Sequence, residues 1–187
     1  MQHQTEPQLK PMPSVSTSSN LILSMDPSGA YKEGKGKTGW CLVDGDTKQL
    51  IKAGYINAQD FESCYDYWKE HITLINHYQP TVLVLEDYLL YASKAQDQIN
   101  SRFETSQLLG VIKFIARSKN IPFALQPASA VKQRWNNDIL YHHSIIKPHG
   151  RGWKTTTGKR LNGHMLDAIR HGMHFATFGK ESKYEVF

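Results

Sequence analysis

A chain of 187 residues is long enough for one domain and too short for two ordinary ones. Its 22 Lys and Arg outweigh 17 Asp and Glu, giving a net charge of +5 and a pI near 9.1, a balance that favours an anionic partner, nucleic acid first. Two cysteines without CxxC spacing exclude a disulfide framework and a zinc finger, and no apolar run reaches the ~18 residues of a membrane span, so a cytoplasmic protein with no membrane partner is expected.

Met1–Asn20 is rich in Gln, Pro, Ser and Thr and carries almost no large apolar side chain. It cannot bury enough surface to offset its ordering entropy, which predicts a disordered leader over residues 1–20. Leu21–Leu23 then opens a short apolar run that ends in Asp26, followed by Pro27, Ser28 and Gly29. Such a run bounded by Pro and Gly predicts a buried strand, and a carboxylate at its end is costly unless it meets a metal or a partner.

Ala30–Lys37 alternates glycine with lysine and predicts a flexible basic loop, with Lys35 and Lys37 as phosphate contacts; it lacks the ending of a P-loop. Strands are predicted over Thr38–Val43 and Leu50–Ile56 around the turn Asp44–Asp46, completing an antiparallel meander. Asp60–His77 predicts a helix capped by Asp60, with Phe61, Cys64, Tyr65, Trp68, Ile72 and Ile75 as its apolar stripe. Pro80 stops it, and Thr81–Leu85 predicts a fourth strand, parallel to the first, that ends in a second acid, Glu86. Asp87, the next residue, points to the opposite face of such a strand.

Tyr88 and Tyr91 follow in a short loop and are candidate nucleic-acid contacts. Asp97–Lys119 predicts a long helix whose second half, LLGVIKFIA, is apolar nearly all round and is therefore buried or an oligomer contact. Ile121–Leu125 predicts a fifth strand and Pro127–Trp135 a short helix. Asn136–Leu161 is the least regular part, since Gly150, Gly152 and Gly158 argue against regular structure. Its Lys147, Arg151, Lys154, Lys159 and Arg160, interleaved with Trp153, fit a nucleic-acid loop; a disordered basic insertion has the same composition.

Asn162–Ala176 predicts the last helix. At about 100° per residue, His164, Asp167, His171 and His174 share one narrow face, and Met165, Leu166, Ile169 and Met173 share the opposite one. The first pair is expected at a functional site; His171 and His174, further out, are expected to meet solvent or phosphate.

The order β-β-β-α-β-α-β-α, with acids at two strand ends and on the last helix, is that of the RNase H-like superfamily. MDPSG followed by TGW, then LVLED, then SRFETSQLLGVIKFIARSKNIPFALQPASAVKQRW, then HMLDAIRH resemble, in order and spacing, the motifs of RuvC-type Holliday junction resolvases. The last motif is similar to the variant in which a His replaces the first of two acids three residues apart. The leader and residues 136–161 depart from the bacterial pattern, and small divergent versions of this kind resemble phage-encoded relatives.

The resemblance implies an α/β fold: a mixed five-stranded RNase H-like sheet, three strands antiparallel and the rest parallel, flanked by helices. It implies one nuclease domain over residues 21–178, with an insertion at about 136–161 and a tail at 179–187. Asp26, Glu86, His164 and Asp167 would be catalytic and would bind two Mg²⁺ ions, which Mn²⁺ can replace. The implied substrate is branched DNA, a four-way junction, resolved by a homodimer in a bacterial or phage-infected cell. Three other readings stay open: an RNA–DNA hybrid nuclease, a catalytically silent junction-binding protein, and an actin-like ATPase, which needs two such domains where this chain has room for one.

Overall fold

The computed structural model describes residues 20–32, 34–87, 103–179 and 184–185. The predicted leader, apart from Asn20, and the loop with Tyr88 and Tyr91 lie outside them, as does the predicted start of the long helix. Strands β1 (Leu21–Asp26), β2 (Lys37–Asp44) and β3 (Gln49–Asn57) form the antiparallel meander. Helix α1 (Cys64–Tyr78) leads to β4 (Val82–Asp87), which runs parallel to β1, and α2 (Glu104–Ser118) leads to β5 (Phe123–Pro127), parallel to β4. The short helices α3 (Ala128–Arg134) and α4 (Asn137–His142) follow, then strands β6 (Ile146–His149), β7 (Gly152–Thr155) and β8 (Arg160–Leu161). The long helix α5 (Gly163–Phe178) comes next, and β9 (Tyr184–Glu185) adds a two-residue edge strand from the segment expected to be a tail.

The main sheet has the order β3-β2-β1-β4-β5-β9 and separates two cores. Alternation along the strands does the sorting. Leu21, Leu23 and Met25 of β1 and Leu83 and Leu85 of β4 face α1 and α2. Ile22 of β1 and Val82 and Val84 of β4 face α5. The same alternation carries Asp26 and Glu86 to the α5 side and Asp87 away from it.

Three expectations are corrected: the cap of α1, its buried stripe, and the irregularity of residues 136–161. The cap of α1 is Ser63, not Asp60: its Oγ accepts from the Asp66 N–H at 3.1 Å and donates to the Asp66 carboxylate at 2.5 Å, a reciprocal cap that fixes the helix start. Asp60 instead ends a 3-10 turn, Ala58–Asp60. The buried stripe of α1 is Tyr67, His71, Leu74 and Ile75; of the predicted stripe, Ile75 belongs to it, Phe61 and Trp68 pack half-buried against the core, and Tyr65 is exposed. On α2, Leu108, Leu109 and Ile112 are buried and Val111 and Ile115 half-buried, which leaves Phe114 as the exposed apolar side chain of that run. Residues 136–161 are not irregular. They form α4 and a three-stranded sheet, β6-β7-β8. Gly150 and Gly158 have φ of 58° and 96°, values that suit the tight turns flanking short strands.

The inward rotation of α1 has a polar cause. His71 Nδ1 lies 2.8 Å from the Tyr67 carbonyl, so it donates there, and Nε2 accepts from Thr38 Oγ1 at 2.8 Å. Tyr67 donates to the Ser28 carbonyl at 2.6 Å, tying α1 to the turn after Asp26. Burial pushes the His71 pKa down from 6.5 to about 4. Below pH 6.5 the unfolded chain takes up a proton that folded His71 refuses. Stability is therefore full above pH 6.5 and falls as the pH drops toward 4, by about 3 kcal/mol in total. Urea denaturation of wild type and His71→Gln at pH 7 and pH 4.5 checks this. Wild type should lose more stability than the variant over that interval, and equal losses would remove His71 as the cause.

Candidate metal centre

The site is assembled where α5 comes down on the strand ends. Asp26 pairs in register with Gly39 of β2. A Cβ at Gly39 would overlap the His164 carbonyl, so the missing side chain is what lets the first turn of α5 rest on the sheet. Asn162 caps that turn by accepting from the Met165 N–H at 2.8 Å. His164 and Asp167, three residues apart on one helix face, then reach the ends of β1 and β4.

Asp26, Glu86 and Asp167 each offer a carboxylate oxygen, and these atoms lie within 4.8 Å of one another. Each acid has a holder. His164 Nδ1 lies 2.6 Å from Asp26 Oδ2. Lys132 Nζ from α3 lies 3.0 Å from Asp167 Oδ2, and Arg170 pairs with the other oxygen while donating to Asn137 Oδ1 at 2.6 Å. His171 Nε2 lies 3.1 Å from Glu86 Oε2.

Burial raises the pKa of Asp26, with Glu86 and Asp167 adding to the push, while the His164 hydrogen bond works against it. The bond to Asp26 raises His164, against its partial burial. Lys132 is also raised: burial opposes this, but the hydrogen bond to Asp167 and the nearby acids outweigh it. Three acids are thus crowded into one corner under partial compensation. Hard oxygen donors at this spacing suit a divalent cation such as Mg²⁺.

The structure brings together Asp26, Glu86 and Asp167 as the sequence predicts. His164 is present as the hydrogen-bond partner of Asp26, outside the set of converging ligand atoms. His171 is fully buried against Glu86 and does not face solvent or phosphate. Lys35 is exposed, and Lys37 Nζ lies 5.4 Å over the Tyr55 ring. Lys147 pairs with Lys154, and Lys154 with Arg160, across β6-β7-β8, so these three cations stand in one row on one face. Trp153 and Leu161 pair on the opposite face and pack on the α5-side core. Arg151 and Lys159 are exposed outside the strands. Lys132 and Arg170 were missed by sequence reasoning. Arg170 carried a signal, its three-residue spacing from Asp167; Lys132 carried none.

No protein-family profile matches the sequence, and no curated protein matches it. Solved structures do. RuvC of T. thermophilus in complex with a Holliday junction substrate superposes with a TM-score of 0.65 at 12% identity, covering 88% of this chain and 99% of that one. A second Thermus thermophilus RuvC structure gives 0.61 at 13% identity, covering 88% and 99%. The chain has the fold of the RuvC resolvases. Within that RuvC fold the mixed sheet, the flanking helices and the position of α5 over the ends of β1 and β4 are those the motifs implied. Among the described residues no helix is long and apolar enough to cross a membrane.

Proposed function

We propose that this chain is a metal-dependent endonuclease that cuts branched DNA, with the four-way junction as its substrate. The observation that carries the reading is the three-carboxylate cluster at the parallel strand ends of a RuvC fold. Asp26, Glu86 and Asp167 would hold two Mg²⁺ ions, with Mn²⁺ able to replace them and His164 beside Asp26. When bound, such ions supply Lewis acidity toward the attacking water and the leaving 3′ oxygen of a phosphodiester.

The chain's own groups do the rest. Lys132 and Arg170 fix both oxygens of Asp167, and His164 fixes one oxygen of Asp26. Lys147, Lys154 and Arg160 form a row that fits the phosphates of a duplex arm, and Arg151, Lys159, Lys35 and Lys37 are further proposed phosphate contacts, whereas Trp153, packed against the core on the opposite face, is not. Tyr88 and Tyr91 join this set as proposed DNA contacts. Symmetric resolution needs two nicks in opposed strands and hence two copies of a chain with one site each. Phe114, 71% exposed on α2, is the residue proposed at that contact.

The test is cleavage of a synthetic four-way junction, a linear duplex and an RNA–DNA hybrid, each with and without Mg²⁺. Paired nicks in the junction that require Mg²⁺ are the expected result. Cleavage of the hybrid alone would move the activity to the RNase H reading. Tight junction binding without any cut would leave a silent junction-binding protein.

A further inference from the structure

The fully buried imidazole of His171 takes no part in the steps above, yet it sits one turn of α5 beyond Asp167 and touches Glu86. Its Nδ1 lies 2.9 Å from Oε1 of Gln126, which is 3% exposed. Glu86 and Gln126 are register partners on β4 and β5, so their side chains stand side by side and His171 bridges them from above. A carboxylate only accepts, so Nε2–H is the donor to Glu86. In the orientation that turns Oε1 toward Nδ1, the buried Gln126 amide nitrogen has no partner. Turned by half a rotation, the amide donates Nε2–H to Nδ1. Each link then has one donor and one acceptor: Gln126 to His171 Nδ1, and His171 Nε2 to Glu86 Oε2.

We propose that Gln126 and His171 form a buried positioning pair that holds the Glu86 carboxylate in place to receive a divalent cation. The inference rests on the metal-centre reading above. A glutamate has three rotatable bonds, and Glu86 stands at a strand end with its side chain 21% exposed. Asp26 and Asp167 have shorter side chains and hydrogen-bonded holders of their own. Without the imidazole, Glu86 would sample rotamers that point away from its two neighbours. Loss of such a partner typically weakens metal affinity by about 10- to 100-fold.

The experiment is a calorimetric titration of the full chain with Mn²⁺. It compares wild type with His171→Leu, His171→Asn and His171→Gln. Gln places its amide nitrogen where imidazole Nε2 stood and keeps the donor to Glu86; Asn and Leu do not. Affinity should fall by about 10- to 100-fold in the Leu and Asn variants and be largely restored by Gln. Wild-type affinity in His171→Leu overturns the proposal, and so does equal loss in the Leu and Gln variants, which is what a space-filling role predicts. Wild type that is folded but binds no Mn²⁺ overturns the metal-centre reading and this inference with it, an outcome distinct from the other two. Should the variants fail to fold, the ¹⁵N spectrum of labelled histidine in wild type decides. A proton on His171 Nε2 whose signal shifts in Glu86→Gln supports the pair, and a bare Nε2 overturns it.

Discussion

Asp26→Asn, Glu86→Gln and Asp167→Asn should each slow Mg²⁺-dependent junction cleavage by ~10³-fold or more while junction binding persists. The size follows from the chemistry: a bound cation contributes several kcal/mol to a transition state of this kind, and each 1.36 kcal/mol is about tenfold. Binding survives for an electrostatic reason. Three acids within 4.8 Å of one another repel a phosphate in the absence of a cation, and an amide in place of one acid weakens that repulsion. The same relief should keep metal-free Asp26→Asn at least as heat-stable as wild type, since burial already disfavours the charged form of Asp26, whereas Asp167→Asn takes the carboxylate from Lys132 and Arg170 and should melt lower. Single-turnover cleavage, a gel-shift titration and a melting curve give the three readings. Full cleavage by any one variant would take that residue out of the centre.

Replacing Lys147, Lys154 and Arg160 together by Ala should lower junction affinity by about 10² to 10³-fold at 0.1 M salt. The three form one row by strand register, so like charges stand side by side. Such a row weakens the small sheet unless an anion meets it. If each cation meets one phosphate, the slope of log K against log salt should flatten by about 2.7, roughly 0.9 for each contact. Melting of the free variant should change little or rise, because the row repels itself. An unchanged slope would mean that this face never touches the backbone of DNA.

The parts of this fold that were legible in the sequence are those where one residue type has one use. Leu21–Leu23 running into Asp26, and Val82–Leu85 running into Glu86, identify buried strands that end in acids, because burial explains the run and not its last residue. The apolar face of α5, with Met165, Ile169 and Met173, was equally plain. Residues with two uses were harder. Tyr67 and His71 are polar by type, yet they are the buried side of α1 because Thr38 and Ser28 offer them partners from β2 and the turn after Asp26. His171 looked like an outward residue for the same reason: its partners, Glu86 and Gln126, are brought near by the sheet and not by the helix. Gly150 and Gly158 mark turns between strands so short that they carry no period of their own.

The three acids come from strands and a helix far apart along the chain; 138 residues separate Asp26 from His164, its hydrogen-bond partner. No contiguous fragment shorter than that span holds the centre, and long-range contacts of this kind form slowly. The proposed cutting activity would therefore be a late property of the folding chain. A polypeptide that has built β1 to β5 but not yet laid α5 across them lacks Asp167 in place. In refolding experiments the return of strand signal should precede the return of cleavage.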